Sequence, residues 1–267
     1  GPAKVMLSSL AANNAGHADV YILHSEIDLP GQRLFIRECA PFSDRLTIHF
    51  VEVDDTLFSR LPTAFGLPHT AYYRFSAPAL LPDSVDRALY LDCDIIINRS
   101  IHEFYNTDFE GNMFVACEDI GVSVLRKYEF LTIFGRLGME LRNAKYFNSG
   151  VLLMDMPLAR QTINIDDIFG LYEKYPNYIT FADQDILNFL YGERTKYADY
   201  RMYNMGAGYV LPEDEGRVME NSAIIHYYGA RDGKPWLDKD RSGSGSAVTR
   251  LWWNYADFFE EYRSKPL

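Results

Sequence analysis

Arg87-Ala88-Leu89-Tyr90-Leu91-Asp92-Cys93-Asp94-Ile95-Ile96-Ile97 decides how the rest of the chain is read. It reads as a buried strand, apolar on both faces until two aspartates arrive, and such strands belong to sheets covered by helices on either side. Outward from it the pattern alternates. Upstream, Ala3–Asn14 carries Val5, Leu7 and Leu10 at helical spacing and stops near Asn13-Asn14-Ala15-Gly16. Val20–Leu23 and Leu46–Val53 read as strands around a helix over Gln32–Cys39, and Thr70–Leu81 as a helix closed by Pro82. Downstream, strands are expected at Met113–Cys117, Ser149–Met154 and Ala223–Tyr227, with helices around Ser123–Phe134, Ile165–Tyr175 and Gln184–Leu190. Strands alternating with helices give an α/β fold with a mostly parallel sheet. Ser242-Gly243-Ser244-Gly245-Ser246 has the composition of a flexible linker. The residues beyond it, with Leu251-Trp252-Trp253 and Phe258-Phe259, are expected to form an aromatic helix packed on the core.

Composition narrows the function. The chain has 267 residues, 48% of them hydrophobic, enough to bury a sizeable core. Lys and Arg number 26 against 37 Asp and Glu, a net charge of −11. Such an acidic chain is a poor electrostatic partner for nucleic acid or an anionic membrane. An anionic ligand would need local help, from a metal ion or one well-placed cation. No apolar run reaches the roughly 18 residues of a spanning helix. Cys39, Cys93 and Cys117 are odd in number and widely spaced, which favours a cytosolic compartment over a disulfide scaffold. Gly1-Pro2 reads as a protease-cleavage scar, with no signal peptide before the first amphipathic run.

Four stretches carry chemistry. Asp-x-Asp occurs three times, at Asp92-Cys93-Asp94, Asp183-Gln184-Asp185 and Asp238-Lys239-Asp240, and context separates them. Asp92 and Asp94 stand at the C-terminal end of a strand, where open α/β sheets place their ligands. Carboxylates there are costly unless paired or metal-bound, and two of them two residues apart suit a hard divalent cation. Haloacid-dehalogenase phosphatases also end a strand with Asp-x-Asp, but at the start of the fold and with Thr or Val two residues on, where this chain has Ile96. Asn148-Ser149-Gly150 opens an apolar run and puts an amide at a strand mouth, with a glycine that permits close approach; a bulge with a satisfied Asn is the plainer reading. Asp183 resembles an N-cap for the helix that follows. His226 ends an apolar strand and alone among the six histidines has a plausible ligand position, while Lys234, before Pro235-Trp236, is a cation on a restrained turn.

Taken in order, Tyr72-Tyr73-Arg74-Phe75, Tyr90-Leu91-Asp92-Cys93-Asp94, Phe147-Asn148-Ser149-Gly150-Val151, Asp183-Gln184-Asp185-Ile186-Leu187-Asn188 and His226 with Lys234-Pro235-Trp236 resemble the retaining glycosyltransferases of family 8, of the bacterial lipopolysaccharide galactosyl- and glucosyltransferase type. The resemblance implies a single GT-A type domain over 1–267, Rossmann-like, with a mostly parallel central sheet, helices on both faces, and 237–267 as a C-terminal loop and helix. It implies transfer of a hexose, galactose or glucose, from a UDP-sugar to a glycan or glycolipid acceptor. Asp92, Asp94 and His226 would hold Mn2+ or Mg2+. Arg74, Cys93, Asn148 and Asp183 would line the donor, Gly229 and Lys234 would meet its phosphates, and Gln184 would lie beneath the anomeric carbon. A mobile flap, formed by Val122–Gly138 or by the terminal loop, and a cytoplasmic location, with peripheral association at the inner membrane face as an option and no transmembrane segment, complete the expectation.

Two departures stand out. The family's first strand, which carries uracil-binding residues, has no counterpart before Ala3, so a gap in the sheet with unpaired backbone groups is expected. A nucleotide-sugar-binding protein without transferase activity is the alternative that follows. Ala230-Arg231-Asp232-Gly233 also separates Gly229 from Lys234 by about two residues more than the family pattern, which lets Arg231 share the phosphate role.

Overall fold

The computed structural model describes residues 1–63, 69–139, 145–228, 234–238 and 245–264. Helix α1 (Pro2–Asn13) leads into β1 (Ala18–His24), α2 (Leu29–Cys39) and β2 (Leu46–Glu52). The strands β1 and β2 run parallel and pair only with each other. Asp28 starts α2 by accepting the Gly31 N–H at 2.8 Å. The stretch expected as one helix over Thr70–Leu81 is a 3-10 run, His69–Phe75, followed by the short α3 (Ala77–Leu80), which Pro82 closes soon after.

The deciding stretch is two strands, not one. Arg87–Leu91 forms β3 and Ile95–Ile97 forms β4, and they belong to different sheets. After α4 (His102–Tyr105) come β5 (Phe114–Glu118), α5 (Ile133–Arg136), β6 (Phe147–Asp155), α6 (Met156–Thr162), α7 (Ile165–Lys174) and α8 (Ala182–Tyr191). Then follow β7 (Thr195–Ala198), α9 (Tyr200–Tyr203), β8 (Met205–Gly206), α10 (Glu215–Asn221), β9 (Ile224–His226) and α11 (Ala247–Arg263). One sheet has the order β3-β6-β5-β7 and a smaller one β4-β9-β8. The α/β class holds, but β6 runs antiparallel to both β3 and β5, and β4 antiparallel to β9, so the sheets are mixed. Strand direction depends on where each connection crosses in space, and a run of apolar residues does not encode that.

Most of the buried apolar residues lie in two large cores, and a third cluster gathers around Trp252. Tyr21 and Leu23 of β1 and Ala88 and Tyr90 of β3 face one; Val20 of β1 and Leu89 and Leu91 of β3 face the other. The two strands therefore alternate across the same layers, yet neither pairs with the other, and each keeps an edge without a strand partner among the described residues. On the far side, α1 takes a strand's place beside β4: the Ile97 N–H donates to Ser9 Oγ at 2.9 Å, and Asn13 Nδ2 donates to the Ile97 carbonyl at 2.8 Å. The terminal helix packs as expected, with Trp252 and Phe259 buried.

Candidate active site

The turn between the sheets builds the site. Beyond the last β3–β6 pair, Leu91 with Val151, the Asp92 N–H still donates to the Gly150 carbonyl at 2.9 Å. The Asp94 carbonyl accepts from the Tyr227 N–H at 2.8 Å, and β4 then starts with Ile95 opposite His226. A chain that must leave one sheet for another between Leu91 and Ile95 carries both carboxylates through the corner. Register brings the imidazole to them. Asp92, Asp94 and His226 offer ligand atoms within 4.8 Å of one another, with His226 Nε2 3.1 Å from Asp94 Oδ1 and 3.7 Å from Asp92 Oδ2.

Two observations test this cluster as a divalent-cation seat, and both agree. Two carboxylates and an imidazole are the right donors for Mn2+ or Mg2+. Gly150 lies so close that an added Cβ would collide with the His226 ring and with Asp92 Oδ2. Burial would raise the pKa of Asp94, but His226 and Lys234 outweigh it and hold the carboxyl well below its usual range. Lys234 pairs with Asp94 Oδ2, and its ammonium lies 5.3 Å from the Trp236 ring centre.

A second cluster adjoins the first through Arg74. This guanidinium, 4% exposed, donates to Asp92 Oδ1 at 3.1 Å and to the Ser149 carbonyl, and pairs with Asp183 Oδ2 at 3.1 Å. It stacks over Tyr90, whose hydroxyl also donates to Asp92 Oδ1 at 2.8 Å. Asp183 is not the N-cap its position resembles. Phe181 holds that place, and Asp183 sits in the first turn of α8, accepting from Ser149 Oγ at 2.9 Å. Burial pushes its carboxyl up to about 6 against the pull of Arg74. The turn before it is strained, since Ala182 adopts φ 47°, a conformation that non-glycine residues keep mainly at functional positions.

Gln184 lies beside this pair. Its Oε1 accepts from the Ser149 N–H at 3.1 Å, and its Nε2 donates to Asp119 Oδ2 at 3.4 Å. Asn148 donates to the same Asp119 oxygen at 3.1 Å. The register between β5 and β6 jumps between Ala116 and Cys117, so the bulge and the close-approach readings of Asn148-Ser149-Gly150 are both realised. The rest of that helix motif is structural. Asp185 accepts the N–H groups of Thr180 and Phe181 at 2.7 and 2.8 Å, and Asn188 makes two hydrogen bonds to the Phe147 backbone.

The structure thus gathers Arg74, Asp92, Asp94, Asn148, Asp183, Gln184, His226 and Lys234 in one region. Cys93 is exposed at the corner between the two aspartates. Gly229 and Arg231 lie outside the described residues. The helix expected over Ser123–Phe134 is three separate turns, Ile120–Val124, Glu129–Leu131 and α5, because Arg126 turns left-handed at φ 53° and Thr132 caps a new start. Asp119 and Asn204 went unnoticed in the sequence, and Ser149 and Tyr90 stood inside quoted motifs without a role of their own. Asp119 had a signal, since it follows the strand at Met113–Cys117 as Asp92 follows its own. Asn204 had none.

Fold and cluster define an α/β protein with a carboxylate and imidazole cluster, of a kind that could hold a divalent cation, where two mixed sheets meet. The chain belongs to glycosyltransferase family 8, whose model matches residues 1–240. It is 28% identical over 259 residues to glycosyltransferase GlyF of Streptococcus pneumoniae, covering 96% of this chain and 58% of that one. It is 28% identical to general stress protein A of Bacillus subtilis, covering 71% of this chain and 66% of that protein. It is 24% identical to lipopolysaccharide 1,3-galactosyltransferase of Salmonella typhimurium, covering 86% and 67%. The chain thus spans about three fifths to two thirds of these relatives' length. Among solved structures, galactosyltransferase LgtC in complex with donor and acceptor sugar analogs superposes with a TM-score of 0.78 at 23% identity, over 99% of this chain and 93% of that one. That likeness shows the expected GT-A type fold.

Proposed function

We propose that this chain is a metal-dependent retaining hexosyltransferase that moves galactose or glucose from a UDP-sugar to a glycan or glycolipid acceptor. The observation that carries the reading is the cluster of Asp92, Asp94 and His226 at the sheet corner, in a chain of family 8. Those three residues would hold Mn2+ or Mg2+, and the chemistry it would supply there is Lewis-acid stabilisation of a departing diphosphate. The protein's own groups supply the rest. Lys234 rests on Asp94 and is free to exchange that carboxylate for a phosphate oxygen, a charge-assisted contact that strengthens as the leaving group gains charge. Arg74, locked between Asp92 and Asp183, fixes the wall of the donor pocket, with Asn148 and Gln184 set on it by Asp119.

Retention ordinarily calls for a carboxylate nucleophile about 5 Å from its partner acid. Here Asp183 is committed to Arg74 and Ser149, and the neighbouring side chain is the neutral amide of Gln184. A neutral carbonyl stabilises developing positive charge at the anomeric carbon without a lasting bond, which favours attack from the face the diphosphate leaves. Among the described residues no helix is long and apolar enough to cross a membrane. The cytoplasmic membrane face is the proposed meeting place with a glycolipid acceptor.

One observation favours a second reading, a nucleotide-sugar-binding protein without turnover: among the described residues β1 and β3 each keep an edge without a strand partner. The test is UDP release from a panel of UDP-sugars, with and without Mn2+, beside a D92A/D94A double variant. Metal-dependent release from one sugar, lost in the variant, supports the transferase and names its donor. Metal-dependent UDP binding with no release from any sugar, acceptors included, leaves the binding protein.

A further inference from the structure

We infer that Asn204 is a positioning residue that fixes the proton of His226 on Nδ1 and so presents Nε2, as a lone pair, to the metal seat; the inference rests on the metal reading of Asp92, Asp94 and His226. The direction of each hydrogen bond follows from groups whose roles admit no choice. Asp119, buried and acceptor-only, takes the Val122 N–H on Oδ1 at 2.9 Å and the Asn148 amide on Oδ2 at 3.1 Å. Asn148 must therefore turn its Nδ2 to Asp119 and its Oδ1 away. The Gly150 N–H, which can only donate, confirms that orientation by bonding Asn148 Oδ1 at 3.1 Å.

The next link inherits the constraint. Asn204, completely buried, lies 3.0 Å from Asn148 Oδ1 through its Nδ2, so its own Oδ1 faces the other way. That oxygen is 3.0 Å from His226 Nδ1. An amide oxygen only accepts, so Nδ1 carries the hydrogen. The other ring nitrogen, Nε2, is the one that faces Asp94 and Asp92. Backbone pairing locks the two side chains together, because β8 opens directly after Asn204 and lies parallel to β9, with Gly206 opposite His226. Partners of this kind around a metal-binding imidazole set its orientation and basicity. Asp119 thereby reaches both ends of the site, through Gln184 on one side and through Asn148 and Asn204 on the other.

The test reads the ring without turnover. Nitrogen-15 NMR of the full chain with and without Mg2+ is expected to show His226 protonated at Nδ1 in both, with Nε2, 3.1 Å from Asp94 Oδ1, bare once Mg2+ is bound. The opposite tautomer in the wild-type chain overturns the inference. Asn204→Leu removes the acceptor and is expected to mix the tautomers and weaken Mn2+ binding, titrated with Mn2+ alone by calorimetry, by roughly 10–100-fold. Asn204→Asp keeps an acceptor toward Nδ1 and is expected to retain the wild-type tautomer. A merely structural Asn204 would make the two variants alike, and a leucine variant with unchanged tautomer and affinity also overturns the assignment. If the wild-type chain fails to bind Mn2+, the metal reading falls, while the ring spectrum still decides the proton's place.

Discussion

At Gly150 a missing side chain is what the site requires. A Cβ there would overlap both the His226 ring and an Asp92 oxygen, and so strike two of the three residues that form the cluster. Gly150→Ala must therefore push the ligands apart, and the expected result is at least about tenfold weaker Mn2+ binding with a loss of about 1–3 kcal/mol in stability. Calorimetric titration and denaturant unfolding measure the two effects, and unchanged Mn2+ affinity would show that the corner yields. Asp183 gives a pH signature. Its folded-state pKa, up to about 6 through burial, lies above the unfolded value of about 3.8. The folded state then binds more protons between those values, so stability falls as pH rises from about 4 to 6, by on the order of 3 kcal/mol, and levels off above. Asp94 does not confuse the window, because its lowered value confines its contribution to lower pH, where stability is lost on acidification. Asp183→Asn is expected to flatten the decline between pH 4 and 6 in unfolding curves. An undiminished slope would place its origin elsewhere.

At the scale of elements, the corner between β3 and β4 governs everything near it. The aspartates were legible because charge inside an apolar run is expensive and calls for an explanation. The bend was not legible, since Leu91 and Ile95 look like neighbours in one strand when only their sequence is known. The same limit hid the direction of β6 and the partition of Ser123–Phe134 into turns. Asn204 was hidden for another reason, because an asparagine after a short helix is ordinarily a loop residue and only the β8–β9 pairing carries it to His226. The edge of β4 is held by side chains of α1, a substitution no strand pattern announces. Ser9 Oγ is the acceptor for the Ile97 N–H in a fully buried setting. Ser9→Ala leaves that donor unpaired, and the expected cost is about 1–3 kcal/mol. Urea unfolding measures it. Mn2+ affinity should stay near wild type, because β9 still holds β4 on the site's side. A loss of affinity as large as that of Gly150→Ala would mean that α1 sets the corner's geometry as well.

On the whole molecule, the cores and the sheets divide the protein differently. By side-chain packing β1 and β3 are members of one layered body, since each sends alternate residues to the same two cores. By backbone pairing they are separate, one in a two-stranded sheet and the other at the rim of a four-stranded one. Apolar burial is nondirectional and tolerates such a break, whereas hydrogen bonds between strands do not bridge it. Opening free energy should therefore vary sharply across the fold. Nearly every residue of β6 is buried and the strand is paired on both sides, while β1 and β3 are mostly half-buried with one edge unpaired. Hydrogen exchange is expected to show β6 as the slowest strand and the unpaired edges of β1 and β3 exchanging orders of magnitude faster. Because Asp92 follows β3 directly, opening of that edge would loosen the metal seat, and Mn2+ should slow exchange in β3 and β4 more than in β1 and β2. Equal protection of β3 and β6 without metal would mean that packing alone holds the edge shut. The seat would then be rigid before any ligand arrives, and the case for a binding protein impaired by an open sheet would lose its support.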